Sequence, residues 1–125
     1  MKKTIYYHDT DCGGVVYYAN YLKFLEEART EFLKEKGFHL KELAQKDTLF
    51  VVRHVDIDYK APARYADTLT ITTSISKARN ATLEFSQQIT RGDQLLVNAV
   101  TQLVCVSSAF APKAIPDDIR KGFNL

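Results

Sequence analysis

The sequence predicts an α+β fold in which one long amphipathic helix lies on an antiparallel sheet. Three observations carry this reading. A helical apolar stripe runs from Tyr17 to Lys36, four strand-like segments follow it, and the connections between those segments are short. Short connections join antiparallel neighbours, because a parallel crossover needs a dozen or more residues. A striped helix and a half-exposed sheet are stable together as two layers around a shared core. A chain of 125 residues suits one domain of ordinary size, residues 1–125.

Lys3 to Tyr7 is short and β-favourable, and is the expected first strand. In the helical segment Tyr18, Tyr21, Leu22, Leu25, Ala28, Phe32 and Leu33 recur at three- and four-residue steps, with charged residues filling most of the rest. Gly37 is the expected stop, since glycine readily takes the left-handed conformation at a helix end. Leu40 to Gln45 suits a short second helix.

Thr48 to Tyr59 reads as a strand with Val51, Val55, Ile57 and Tyr59 on one face, and Pro62 interrupts it. Leu69, Ile71, Thr73 and Ile75 alternate with Thr70, Thr72, Ser74 and Ser76, the pattern of a half-exposed strand. Leu83, Phe85, Gln87 and Ile89 alternate in the next, and Arg91-Gly92-Asp93 turns the chain. Gln94 to Ser108 is apolar on both faces in its middle and is expected to be central. The tail, with Pro112 and Pro116, allows about one helical turn. A sheet of this size leaves open edges, and a second copy could cover one, so at least a homodimer is expected.

Composition excludes several classes. Hydrophobic residues at 46% and charged residues at 26% are ordinary globular values. A net charge of +2 gives no general attraction for nucleic acid. The start lacks the apolar core of a signal peptide, and no apolar run approaches the roughly 18 residues of a membrane span. Cys12 and Cys105 form neither a metal pattern nor a disulfide framework. The expectation is a soluble, cytoplasmic protein.

The chemistry concentrates between Tyr7 and Tyr21, which hold Asp9, Thr10, Asp11, Cys12 and the Gly13-Gly14 pair and lead into the helix. The first N–H groups of a helix lack intrahelical acceptors and can hold an oxyanion. A carboxylate before such a turn could face a carbonyl whose oxygen points at those N–H groups. On residues alone, Asp11 serves equally well as a turn cap or as a catalyst. Asp9 and Thr10 suit bonding of the loop that aims Asp11. Tyr7 suits core or pocket. Cys12 would need a base within hydrogen-bond reach to act as nucleophile, and a metal site of His8, Asp9 and Asp11 would need partners from elsewhere.

The run from Tyr7 to Leu22, Tyr-x-Asp-Thr-Asp-x-x-Gly-Val-Val-Tyr-x-Ala-Asn-Tyr-Leu, followed by Glu26-x-Ala28-Arg29, resembles the hotdog-fold acyl-CoA thioesterases. It is most similar to the 4-hydroxybenzoyl-CoA type and the small Tol-Pal-associated, YbgC-like thioesterases. Tyr59-Lys60-Ala61-Pro62-Ala63-Arg64-Tyr65 and Ala114-Ile115-Pro116 extend the resemblance over nearly the whole chain. It implies a helix wrapped by a curved five-stranded antiparallel sheet and a dimer with active sites between subunits, in many members a tetramer. Asp11 falls on the family's catalytic carboxylate, nucleophile or general base, and the backbone N–H of Tyr18 on its oxyanion donor. Tol-Pal-associated relatives often have His at the Tyr18 position, so a histidine proton shuttle is not implied here.

The acyl pocket implied by this reading takes Tyr7, Thr10, Gly14 and Val15. Lys60, Arg64, Lys77, Arg79 and Lys113 are candidates for CoA phosphates, since Lys and Arg favour phosphate. Arg29 suits a structural ion pair, and Glu26 and Glu27 suit a solvated helix face. The implied reaction is hydrolysis of an acyl-CoA or acyl-carrier-protein thioester with no metal or redox cofactor. A non-catalytic acyl-CoA or acyl-carrier-protein binder is the alternative, though it has no need of Asp11.

Overall fold

A computed structural model describes residues 1–125. A five-stranded antiparallel sheet holds β1 (Lys2–Thr4), β2 (Leu49–Tyr59), β3 (Thr68–Ala78), β4 (Thr82–Arg91) and β5 (Gln94–Val106) in the order β1-β3-β4-β5-β2. The long helix α1 (Asn20–Glu35) lies on one face, with α2 (Leu40–Gln45) and the C-terminal α3 (Asp117–Gly122) at one end. No helix is long and apolar enough to cross a membrane.

The predicted alternations place the core. Leu69 and Ile71 of β3, Leu83, Phe85, Gln87 and Ile89 of β4, and Val97, Ala99, Thr101 and Leu103 of β5 are buried beneath the helix. Against them α1 buries Tyr21, Phe24, Leu25, Ala28, Arg29 and Leu33. Gly37 ends the helix as expected, with φ +86°. Its N–H donates to Lys34 O at 2.9 Å and that of Phe38 to Leu33 O at 3.0 Å, a Schellman arrangement that satisfies the last carbonyls.

The core divides in two. One cluster gathers around Tyr21, Phe24, Ile89 and Val97, the other around Leu33, Phe85, Ile115 and Ile119. A polar layer sits between them. Arg29 Nη1 donates to Gln87 Oε1 at 3.0 Å, and Gln87 Nε2 donates to Leu25 O at 2.9 Å and Thr73 Oγ1 at 3.1 Å. The ion pair expected of Arg29 is replaced by this neutral amide. Burial pushes its guanidinium below the ordinary arginine value, and nearby Glu26 opposes the shift.

Three expectations are corrected. The first strand stops at Thr4, and Tyr7–Asp9 forms a 3₁₀ turn, because the Asp9 carboxylate accepts the Tyr6 N–H at 2.9 Å. In β2 the pairing slips between Val52 and His54, so the bulge at Arg53 puts Val51 on the face opposite Val55. Val52, opposite Leu103, takes the core-side place instead. Finally, β5 is interior, between β4 and β2, but β4 holds the middle of the sheet.

Candidate active site

Thr10 and Val16 form an isolated antiparallel bridge, so residues 11–15 make a small closed loop. Asp11 N–H donates to Val15 O at 2.9 Å and Tyr17 N–H to Asp9 O at 3.0 Å, one bond on each side of the bridge. Val16 N–H donates to Ala63 O at 2.9 Å, which anchors the loop to the β2–β3 crossover. Asp9 and Thr10 both hydrogen-bond within this segment. Asn20 Nδ2 donates to Asp9 O at 2.9 Å, and Thr10 Oγ1 to Tyr7 O at 2.6 Å.

Asp11 is exposed, and its Oδ1 accepts the Gly13 N–H at 2.8 Å. This is an Asx turn, which fixes one carboxylate oxygen and leaves the other open. Gly14, at φ +80°, takes the left-handed conformation that closes the loop. The capping role of Asp11 is therefore present, and it is compatible with a chemical one.

The helix was expected from Tyr17 but begins at Asn20. Asp9 O accepts both the Tyr17 N–H and the Asn20 side chain, so Tyr17 is held beside the Thr10–Val16 bridge and Tyr18 and Ala19 form a turn. Tyr18 N–H makes no hydrogen bond within the chain. It is a free donor just ahead of the helix, as an oxyanion site needs.

Beside it lies a cavity of about 270 Å³, lined by Val16, Tyr18, Tyr21, Tyr59, Lys60 and Pro62 among others. The rings of Tyr18 and Tyr21 pack on Tyr59 at 6.2 and 5.5 Å between centroids. Tyr59 Oη donates to Tyr18 O at 3.3 Å. Burial, then the neighbouring Tyr18 and Tyr21, push the Tyr59 hydroxyl above its ordinary value, which keeps it a neutral donor. Tyr21 Oη accepts the N–H of fully buried Ala63 at 3.0 Å.

The other predicted residues scatter. Gly14 and Val15 stay in the Asp11 loop, where Val15 bridges Arg64. Tyr7 is 78% exposed and packs edge-on against Tyr65, so it is neither core nor part of the tyrosine cavity. Lys60 lines that cavity. Lys113 is used structurally, its ammonium donating to Asp47 O at 2.9 Å and Thr48 Oγ1 at 3.2 Å. Cys12 is exposed, with no base hydrogen-bonded to its sulfur.

Arg79 lies at the far end of the sheet, in a second pocket of about 430 Å³ with Arg53, Lys77, Glu84 and Gln102. Three cations face one carboxylate there. Glu84 stays ionised, because the Ser76 hydroxyl, the Gln102 amide and the charges of Lys77 and Arg79 together outweigh the effect of burial. Sequence reasoning passed over Arg53, while Lys77 and Arg79 were both among its candidates for CoA phosphates. The Lys77–Glu84–Gln102–His54 register gathers them, and no local spacing announces it.

Residues 13–98 match the thioesterase superfamily. The chain belongs to the thioesterase superfamily. It is 43% identical over 122 residues to the acyl-CoA thioester hydrolase YbgC of Escherichia coli, an alignment that covers 96% of this chain and 91% of that protein. The acyl-CoA thioesterase YbgC of Haemophilus influenzae is 38% identical, with 96% and 90% covered. The crystal structure of a probable thioesterase from Bartonella henselae superposes with a TM-score of 0.90 at 37% identity, covering 93% of this chain and 97% of that one. The helix on its curved five-stranded sheet is accordingly the hotdog arrangement of these thioesterases.

Proposed function

We propose that this thioesterase hydrolyses an acyl-CoA thioester with Asp11 as its carboxylate and the Tyr18 N–H as its oxyanion donor. One observation carries the reading. The exposed carboxylate sits in the loop closed by the Thr10–Val16 bridge, and the free N–H follows that bridge, just ahead of the helix start. A thiolate leaves readily, so a positioned carboxylate and a preorganised donor suffice for the chemistry. Acting as base, Asp11 takes a proton from water as the water oxygen attacks the carbonyl. The oxyanion forms against Tyr18 N–H, and its collapse expels the thiolate. Acting as nucleophile, Asp11 adds to the carbonyl and displaces the thiolate, and water then cleaves the resulting acyl anhydride. The tyrosine cavity takes the acyl portion in either case, and the similarity to an acyl-CoA thioester hydrolase and an acyl-CoA thioesterase supports this substrate class.

We place the CoA phosphates on Arg53, Lys77 and Arg79. This requires a second copy. The Arg79 turn follows the last residue of β3, while Val15 bridges Arg64 before its first. Eleven residues of strand separate them, on the order of 30–35 Å. Edge strand β2 pairs only with β5, and its core-side Val52 and Tyr59 are 52% and 44% exposed. Antiparallel pairing of β2 with β2 of a second copy covers that strip and brings the basic end of one chain toward the Asp11 end of the other.

The test is thiol release from short-chain, long-chain and benzoyl-type CoA thioesters and from acyl carrier protein, with Asp11→Asn alongside. Turnover should fall by roughly 10²–10⁴ in the folded variant, the usual contribution of acid–base catalysis. Undiminished turnover would reassign the catalyst. Tight CoA binding without any turnover would favour a binding role.

A further inference from the structure

The turn that carries Arg79 is held from outside the sheet. Arg79 N–H donates to Thr82 O at 2.9 Å and closes the hairpin, while the carbonyls of Arg79 and Asn80 are bonded by the C-terminal segment. Ile115 N–H donates to Asn80 O at 2.9 Å. Arg120 Nη2 donates to Arg79 O and, at 3.0 Å, to Asn80 O. It makes no ion pair with a carboxylate within the chain. A guanidinium shared between two adjacent carbonyls is a charge-assisted clamp on a two-residue stretch of backbone.

The clamp has a rigid base. Ile115 and Ile119 are buried in the distal core cluster. Phe123 stacks on Phe32 at 5.2 Å between centroids, and a Cβ on Gly122 would lie 2.7 Å from the Phe38 ring. Arg120 itself does not line the basic pocket, so its charge is not one of the three placed to meet an anion there.

We infer that Arg120 is a positioning residue for the anion site, acting through the backbone of Arg79 and Asn80 to aim the Arg79 side chain. This rests on the reading of the basic pocket as the seat of the CoA phosphates. An aimed guanidinium loses less freedom on binding than one on a loose turn. Deleting Arg120 should therefore cost affinity for the phosphate-bearing part of the ligand and for nothing else.

The experiment compares equilibrium binding of CoA and of pantetheine, which lacks the nucleotide and its phosphates, to wild type, Arg120→Ala, Arg79→Ala and the double variant. Arg120→Gln, with thermal melts of each protein, replaces Arg120→Ala if that variant does not fold. Arg120→Ala should weaken CoA about two- to fivefold, the range for one solvent-exposed charge pair, and leave pantetheine unchanged. The double variant should bind CoA no more weakly than Arg79→Ala, because Arg120 acts through Arg79. Losses that multiply in the double variant, an equal loss for pantetheine, or an unchanged CoA affinity in Arg120→Ala would each overturn the inference. Insensitivity of CoA to Arg79→Ala would instead overturn the placement of the phosphates, and the inference would fall with it.

Discussion

Asp11 and Gly13 are joined by a 2.8 Å hydrogen bond from the Gly13 N–H to Asp11 Oδ1, and a Cβ added to Gly13 would lie 3.1 Å from that same oxygen. The glycine thus serves the carboxylate by what it lacks as well as by what it donates. Gly14 differs, for a Cβ there meets nothing within 4 Å and the constraint is its φ of +80°.

Gly13→Ala must push the Asp11 carboxylate aside by a few tenths of an ångström. Turnover should fall about two- to tenfold, short of the roughly hundredfold that a 1 Å misplacement costs. Gly14→Ala should instead cost about 1 kcal/mol of stability through backbone strain. Steady-state kinetics beside urea melts separate the two, and equal behaviour of both variants would contradict this division.

Tyr21→Phe removes the acceptor of a buried N–H. Ala63 is fully buried and its N–H has the Tyr21 hydroxyl 3.0 Å away. The variant should lose about 1–3 kcal/mol, the cost of an unsatisfied buried donor. An unchanged urea midpoint would show that water reaches this N–H.

Asp67 gives the fold an acid-sensitive joint. Its Oδ2 accepts from Arg91 Nη1 at 2.6 Å and from the Arg64 N–H at 2.8 Å. Burial alone would raise its carboxyl, but the Arg64 N–H and the Arg91 guanidinium outweigh it, and the folded value lies below the ordinary 3.8. A lowered folded value means stabilisation that is full well above 3.8 and lost as pH falls through the folded value. The stability gap between wild type and Asp67→Asn should be constant near neutrality and close at more acid pH. A gap independent of pH in that range would remove the linkage.

The intersubunit reading predicts complementation. Asp11→Asn and Arg79→Ala chains, denatured together and refolded, form mixed dimers in which one site has both defects and the other has neither. At CoA thioester concentrations low enough for Arg79 to matter, activity should recover toward about a quarter of wild type, since half the dimers are mixed and each carries one intact site. If both groups came from one chain, mixing would recover nothing.

The sequence alone determined the elements whose side chains answer to a local period. Most of the α1 stripe, though not exposed Leu22 or buried Phe24, the stop at Gly37 and the alternations of β3 and β4 are visible because each residue's place depends on neighbours a few positions away. The Tyr7–Leu22 run marked the Asp11 loop because its composition is unusual. Tertiary structure decided what depends on distant partners. Tyr17 and Tyr18 stand ahead of the helix because Asp9 O takes the Tyr17 N–H and the Asn20 amide. Val51 changes faces because one extra residue at Arg53 breaks a two-residue period. Arg29 rests on an amide 58 positions away, and Lys113 is spent on Asp47 and Thr48. Arg53, Lys77 and Arg79 form one pocket only through the register of β2 to β5. Hydrophobic periodicity is written along the chain, but a hydrogen bond or a charge cluster exists only once folding has brought separate stretches within a few ångströms.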